Sequence, residues 1–146
     1  MKNQEREVWQ RVFGQPAAPR SREDLPALAA EVRELAALYR QLMKETSGKL
    51  REKLGQLYEG ELANLACLKG MAVLSGTPMG RQPPLPDRKE TMGKALKKAC
   101  HRTRRALVEY TARSADPEFG AVFRQMAARA EKQWALAAEL LGSVHL

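Results

Sequence analysis

A carboxylate and an amide stand one helical turn apart in the middle of an otherwise apolar stripe. Over Leu50 to Met71, KLREKLGQLYEGELANLACLKGM with its leading lysine, that stripe runs Leu50, Leu54, Leu57, Glu61, Asn64, Leu68, Met71. Glu61 and Asn64 occupy positions where heptad spacing asks for leucine. A buried carboxylate without a partner costs several kcal/mol or takes up a proton, so other groups must stand opposite it. Glu131-Lys132-Gln133-Trp134 repeats the spacing of Glu61-Leu62-Ala63-Asn64 further along the chain, which marks Glu131 and Trp134 as candidates for the same layer. Tyr39, Thr103 and Tyr110 lie on the apolar stripes of two other segments and complete the set. Hydroxyl, amide and indole donors of this kind can satisfy two acids, and two acids sharing a desolvated layer raise at least one carboxyl pKa.

No nucleophile-and-base set can be assembled around that layer. Asn64 is not a nucleophile, His145 is one residue from the end of the chain, and His101 adjoins Cys100 but points to a different side of a helix. Cys67 and Cys100 are 33 positions apart with no C-x-x-C, which argues for reduced, packed thiols over a zinc knuckle or a disulfide framework. Met71, Met79, Met92 and Met126 form no single stripe and read as core filler and loop.

The elements that must position these residues are helical. Aromatic residues are only 5% of the chain and β-branched residues are scarce, so strands have little to be built from, while charged residues reach 29%. The spacing predicts a short amphipathic helix over 2–13, with Val8, Trp9, Val12 and Phe13 on one side, lying across the body as an apolar strap. Residues 1–20 are thus an N-terminal helix and linker, and residues 21–146 one domain.

Within that domain helix one follows Ser21-Arg22-Glu23-Asp24 with the stripe Leu25, Leu28, Val32, Leu35, Tyr39, Leu42, and ends near Thr46-Ser47-Gly48. Helix two runs from about Ser47 to Leu74. Pro78, Pro83, Pro84 and Pro86 make Gly76 to Asp87 a non-helical crossover long enough to travel the length of the bundle. Helix three covers about Arg88 to Ser114 with Leu96, Cys100, Thr103, Leu107 and Tyr110 inward. Helix four starts at Asp116-Pro117-Glu118 and carries Phe123, Ala127, Ala130, Trp134, Ala137 and Leu141 inward to about Gly142. The expected fold is all-α: an antiparallel four-helix bundle, two hairpins joined by a long crossover between helices two and three, with a short extra N-terminal helix.

The halves share a spacing. Val32 precedes Tyr39 by seven residues, as Thr103 precedes Tyr110; Val32 to Glu61 is 29 positions and Thr103 to Glu131 is 28. This pattern resembles the ferritin-like superfamily, and within it the rubrerythrin-type bundles, over about residues 22–142. LYEGELANLACLKG and VEYTARSADPEFGAVFRQMAARAEKQW look similar to segments of small bacterial members. In such proteins one inward Glu lies seven residues before a Tyr on helices one and three, Glu-x-x-His lies on helices two and four, and these six ligands hold two iron or manganese ions. Here Val32 and Thr103 stand for the single glutamates and Asn64 and Trp134 for the histidines, leaving Glu61 and Glu131 as residual metal ligands. Two carboxylates and no imidazole cannot balance two hard dications, and Trp134 adds bulk where a metal would sit.

The resemblance therefore implies a divergent bundle whose iron-oxidation or peroxide-reduction centre is largely lost, non-catalytic, with a structural or regulatory role and pairing as a homodimer. No cofactor is expected; a single iron, manganese or zinc ion on a non-standard ligand set, serving oxidoreductase chemistry or iron handling, is the alternative. A second alternative is a basic helical module for nucleic acid or an acidic partner. The formal charge is +8, from 25 Lys and Arg against 17 Asp and Glu, and Lys94, Lys97, Lys98, His101, Arg102, Arg104 and Arg105 crowd helix three. Interleaved aromatics, a helix-turn-helix turn and a Gly-rich phosphate loop are all missing from it, so nucleic acid is the less favoured partner. No apolar run reaches the ~20 residues of a membrane span and the N-terminus has no signal-peptide core, so the expected location is the cytoplasm, without membrane attachment.

Overall fold

The computed structural model describes residues 24–81 and 87–144, in four helices: α1 (Leu25–Lys44), α2 (Gly48–Ser75), α3 (Met92–Arg113) and α4 (Gly120–Ser143). Among the described residues there is no strand. The expected N-terminal helix over 2–13 and His145 lie outside the described residues.

Local chemistry sets each boundary. Pro26 sits in the first turn of α1, where the missing N–H costs nothing, and the Thr46 hydroxyl closes the other end by donating to Leu42 O at 3.0 Å. Ser47 adopts an extended conformation as the N-cap of α2, and Gly76 ends that helix in the left-handed region (φ 68°), its N–H reaching back to Val73 O. Helix α3 begins at Met92 instead of the expected Arg88, because the Thr91 side chain accepts from Lys94 N and caps the helix there. The Arg88 side chain bonds Glu45 instead. Asp116 does cap: its Oδ1 accepts from the N–H groups of Glu118 and Phe119, both at 2.8 Å, but it organises a lead-in turn and α4 becomes regular only at Gly120.

The helices pair as α1 with α2 and α3 with α4, α2 packs on α4, and α1 touches α3 only lightly. Every neighbouring pair is antiparallel. Lys53 near the start of α2 meets Glu139 near the end of α4 (3.0 Å), while Asp24 at the start of α1 meets Arg113 at the end of α3 (3.4 Å). The Arg88–Glu45 ion pair puts the approach to α3 beside the α1–α2 turn, at the opposite end of the bundle from Ser75. The connection from α2 to α3 thus joins opposite ends, about 42 Å apart for a 28-residue helix.

The interior is two apolar clusters. One gathers Leu25, Ala29, Val32, Leu68, Met71, Tyr110, Phe123 and Met126; the other gathers Leu35, Tyr39, Leu42, Leu54, Leu57, Leu96, Ala99 and Leu140. Between them every helix except α1 contributes a buried polar residue: Glu61 and Asn64 from α2, Thr103 from α3 and Gln133 from α4. The inward stripe of α4 is Phe123, Met126, Ala130, Gln133, Ala137, Leu140, a different flank of the helix from the expected Ala127, Trp134 and Leu141. Ala130 and Ala137 lie on both flanks, and the flank that faces the core carries Met126, Gln133 and Leu140, leaving Trp134 and Leu141 half-buried at its edge. No helix among the described residues is long and apolar enough to cross a membrane.

Replacing the Asp116 carboxylate removes the acceptor for two amides in the lead-in to α4. Asp116→Ala is expected to cost about 1 kcal/mol in urea unfolding, with the cooperativity unchanged. An unaltered midpoint would contradict this role for the side chain.

Candidate functional site

Glu61 lies midway along α2, flanked by Leu57 and Leu65, and retains 4% of its accessible surface. Gln133 from α4 reaches across to it, donating from Nε2 to Leu57 O at 2.7 Å. Gly60 makes this possible, since a Cβ there would overlap the Gln133 amide. Burial pushes the Glu61 carboxyl up to about 7, with the Gln133 side chain drawing it part of the way back. Tyr39 and Tyr110 are 0% and 2% exposed, and burial together with the charge of Glu61 holds both phenols well above their usual range. The buried Tyr39 hydroxyl makes no hydrogen bond of good geometry, and the neighbouring Thr103 hydroxyl only draws its pKa part of the way back. Tyr110 stacks on Phe123 with ring centroids 6.4 Å apart.

Asn64, one turn on, is occupied elsewhere: its Oδ1 accepts from Arg129 Nη1 at 2.7 Å. The buried Thr103 hydroxyl donates to Ala99 O of its own helix at 2.8 Å. Neither is a free ligand for an ion.

Glu131 is the correction. It is exposed, as is Lys132, whereas Ala130 and Gln133 of the same turn are buried. Glu131 does not share a layer with Glu61, because the rotation of α4 that buries Met126 and Leu140 turns it outward. Trp134 is half-buried at the edge of the second cluster, with the Arg104 guanidinium 5.3 Å from its ring centroid; it does not plug the centre of the layer. The α4 counterparts of Glu61 and Asn64 are therefore Ala130 and Gln133. Gln133 was the residue that the Glu131/Trp134 match concealed, and the strict three-four spacing of Phe123, Met126, Ala130, Gln133, Ala137 and Leu140 was the signal for it.

A cleft of about 280 Å³ opens between α1 and α3, where those helices touch least, and Glu61 lies at its base. Leu28, Val32 and Leu35 form one wall, Ala106 and Tyr110 the other. Arg102 bridges its mouth, bonding Glu34 and lying 3.3 Å from Glu31, both on α1. Arg113, buried, holds Glu109 at 2.8 Å and Asp24 at 3.4 Å.

These residues do not fit a pair of metal ions. Val32 and Ala130 offer no donor, Thr103 is committed to the backbone, an arginine takes the Asn64 carbonyl, and one carboxylate of raised pKa remains. Among the described residues no three His, Cys, Asp or Glu side chains are grouped to hold a metal. Cys100 is buried, its thiol pushed up by that burial, while His101 beside it is exposed, so they form no reactive pair. None of the family models, characterised proteins or solved structures compared with the chain matches it.

Glu61 holds a proton more tightly folded than unfolded, its pKa moving from 4.5 to about 7. Its contribution to stability is complete below the unfolded value and is lost as pH rises through about 7. Between pH 5 and pH 8 this group is expected to lower stability by on the order of 2–3 kcal/mol in urea unfolding, and Glu61→Gln to remove that slope. Equal slopes in the two proteins would refute the assignment.

Proposed function

We propose that the chain is a divergent ferritin-like bundle, similar to the rubrerythrin type, in which a metal-free polar layer stands where relatives hold their two ions, and which serves as a non-catalytic structural or regulatory scaffold. Two helical hairpins, a connection joining opposite ends of the bundle, and inward Val32/Tyr39, Glu61/Asn64, Thr103/Tyr110 and Ala130/Gln133 support the kinship. The observation that carries the loss of chemistry is the outward placement of Glu131, which leaves Glu61 as the lone acid of the layer. One carboxylate with no second acid or imidazole grouped beside it among the described residues falls short of the donor set that a pair of dications needs. The same resemblance implies pairing with a second copy, and the sequence composition implies a cytoplasmic location.

Protein purified without chelator is expected to contain far less than one iron, manganese or zinc per chain, with no ferroxidase or peroxide-reducing activity above buffer. Near-stoichiometric metal that disappears in Glu61→Ala would overturn the reading in favour of an oxidoreductase or iron-handling protein.

The outer face of α3 favours a second reading. Lys94, Lys97, His101 and Arg105 are all exposed and have no carboxylate in ion-pairing range among the described residues, while Lys98 meets Glu90 at 3.6 Å. Such a face offers phosphates or an acidic protein a continuous positive strip. On this reading random duplex DNA binds at low salt and releases as salt rises, and neutralising Lys94, Lys97 and Arg105 together weakens binding at least tenfold. Absence of binding at low salt eliminates nucleic acid as the partner.

A further inference from the structure

We propose that the cleft between α1 and α3 is a binding site for a small organic cation, a primary amine with a short apolar tail, whose ammonium group pairs with Glu61. The inference rests on the reading above that no metal occupies the layer.

Glu61 is the only buried acid side chain among the described residues, and it lines a cavity instead of meeting a basic group. The groups that face it from each helix are accounted for. Helix α1 supplies Tyr39, with Glu31 at the mouth, and α4 supplies Gln133, a neutral amide. Helix α3 supplies Tyr110, with Arg102, Arg105 and Glu109 further out. Of these cations, Arg102 is committed to Glu31 and Glu34, and Arg105 is exposed. The carboxylate thus lacks a fixed counter-charge while opening onto space.

The walls select the kind of cation. Leu28, Val32, Leu35 and Ala106 present hydrocarbon, which suits an alkyl tail and offers nothing to the hydration shell of a metal ion. Tyr110 adds an aromatic ring to the same lining. Cavities of about 150 Å³ accommodate benzene, so about 280 Å³ takes a molecule of roughly seven heavy atoms with room at the mouth. An anion would meet Glu61 unfavourably once that group is ionised.

The test is calorimetric titration of the whole chain with hexylamine, hexanol and hexanoate at pH 8.5, with metal content measured on the same sample. Hexylamine is expected to bind one per chain, at least tenfold more tightly than hexanol. Glu61→Gln, nearly isosteric, is expected to abolish the preference for the amine over the alcohol. Ala106→Phe, which fills the cleft but leaves Glu61 in place, is expected to abolish binding of both. Metal-free protein that ignores hexylamine, prefers hexanoate, or binds the amine undiminished in Glu61→Gln overturns the amine site and leaves the metal-free bundle standing. Metal found on Glu61 overturns both.

Discussion

A carboxylate held away from water with no basic group beside it is the constraint around which this bundle is arranged. Glu61 keeps only 4% of its surface, and the side chains nearest to it are neutral: two phenols and an amide. Such a group is tolerated because it can take up a proton near neutral pH and because Gln133 reaches it from the facing helix. Gly60 has no side chain for the same reason, since any Cβ would displace the amide of Gln133. A glycine, a glutamate and a glutamine on two helices are thus one device.

That device divides the interior. On one side Val32, Leu68, Phe123 and Met126 form an apolar cluster, on the other Leu35, Leu54, Leu57 and Leu96 form a second, and Asn64, Thr103 and Gln133 lie between them with their polar groups bonded to Arg129, Ala99 O and Leu57 O. The polar layer costs apolar contact, and the clusters on either side supply the burial that holds the helices together. Where α1 meets α3 the packing is thinnest, and there the layer opens into a cleft bridged by ion pairs from Arg102 to Glu31 and Glu34. Electrostatics at the rim replaces side-chain interdigitation along that seam.

The all-helical architecture, the hairpins and the inward Glu61, Asn64, Tyr39, Thr103 and Tyr110 were legible because each sits on a stripe with bulky neighbours that leave one face for the core. The rotation of α4 was not. Its alanines at 127, 130 and 137 give two adjacent flanks nearly equal claim to the interior, and matching Glu131 to Glu61 by sequence spacing chose the flank that packing rejects. Helix starts showed a smaller version of the same problem: Thr91 outcompeted Arg88, and Asp116 capped a turn ahead of the regular helix. Burial shifts of a carboxyl group can be anticipated from a polar residue on an apolar stripe, but the cleft beside it cannot, because it arises from how loosely two distant segments pack.

The most direct measurement is the titration of individual side-chain carboxyls followed by carbon-13 NMR, with Glu61→Gln for assignment. One glutamate carboxyl with a midpoint near 7, absent from the spectrum of the variant, is what a lone buried acid requires. If every glutamate carboxyl titrates in the ordinary range near 4.3, Glu61 is solvated or paired with a cation, and the account of the layer is wrong.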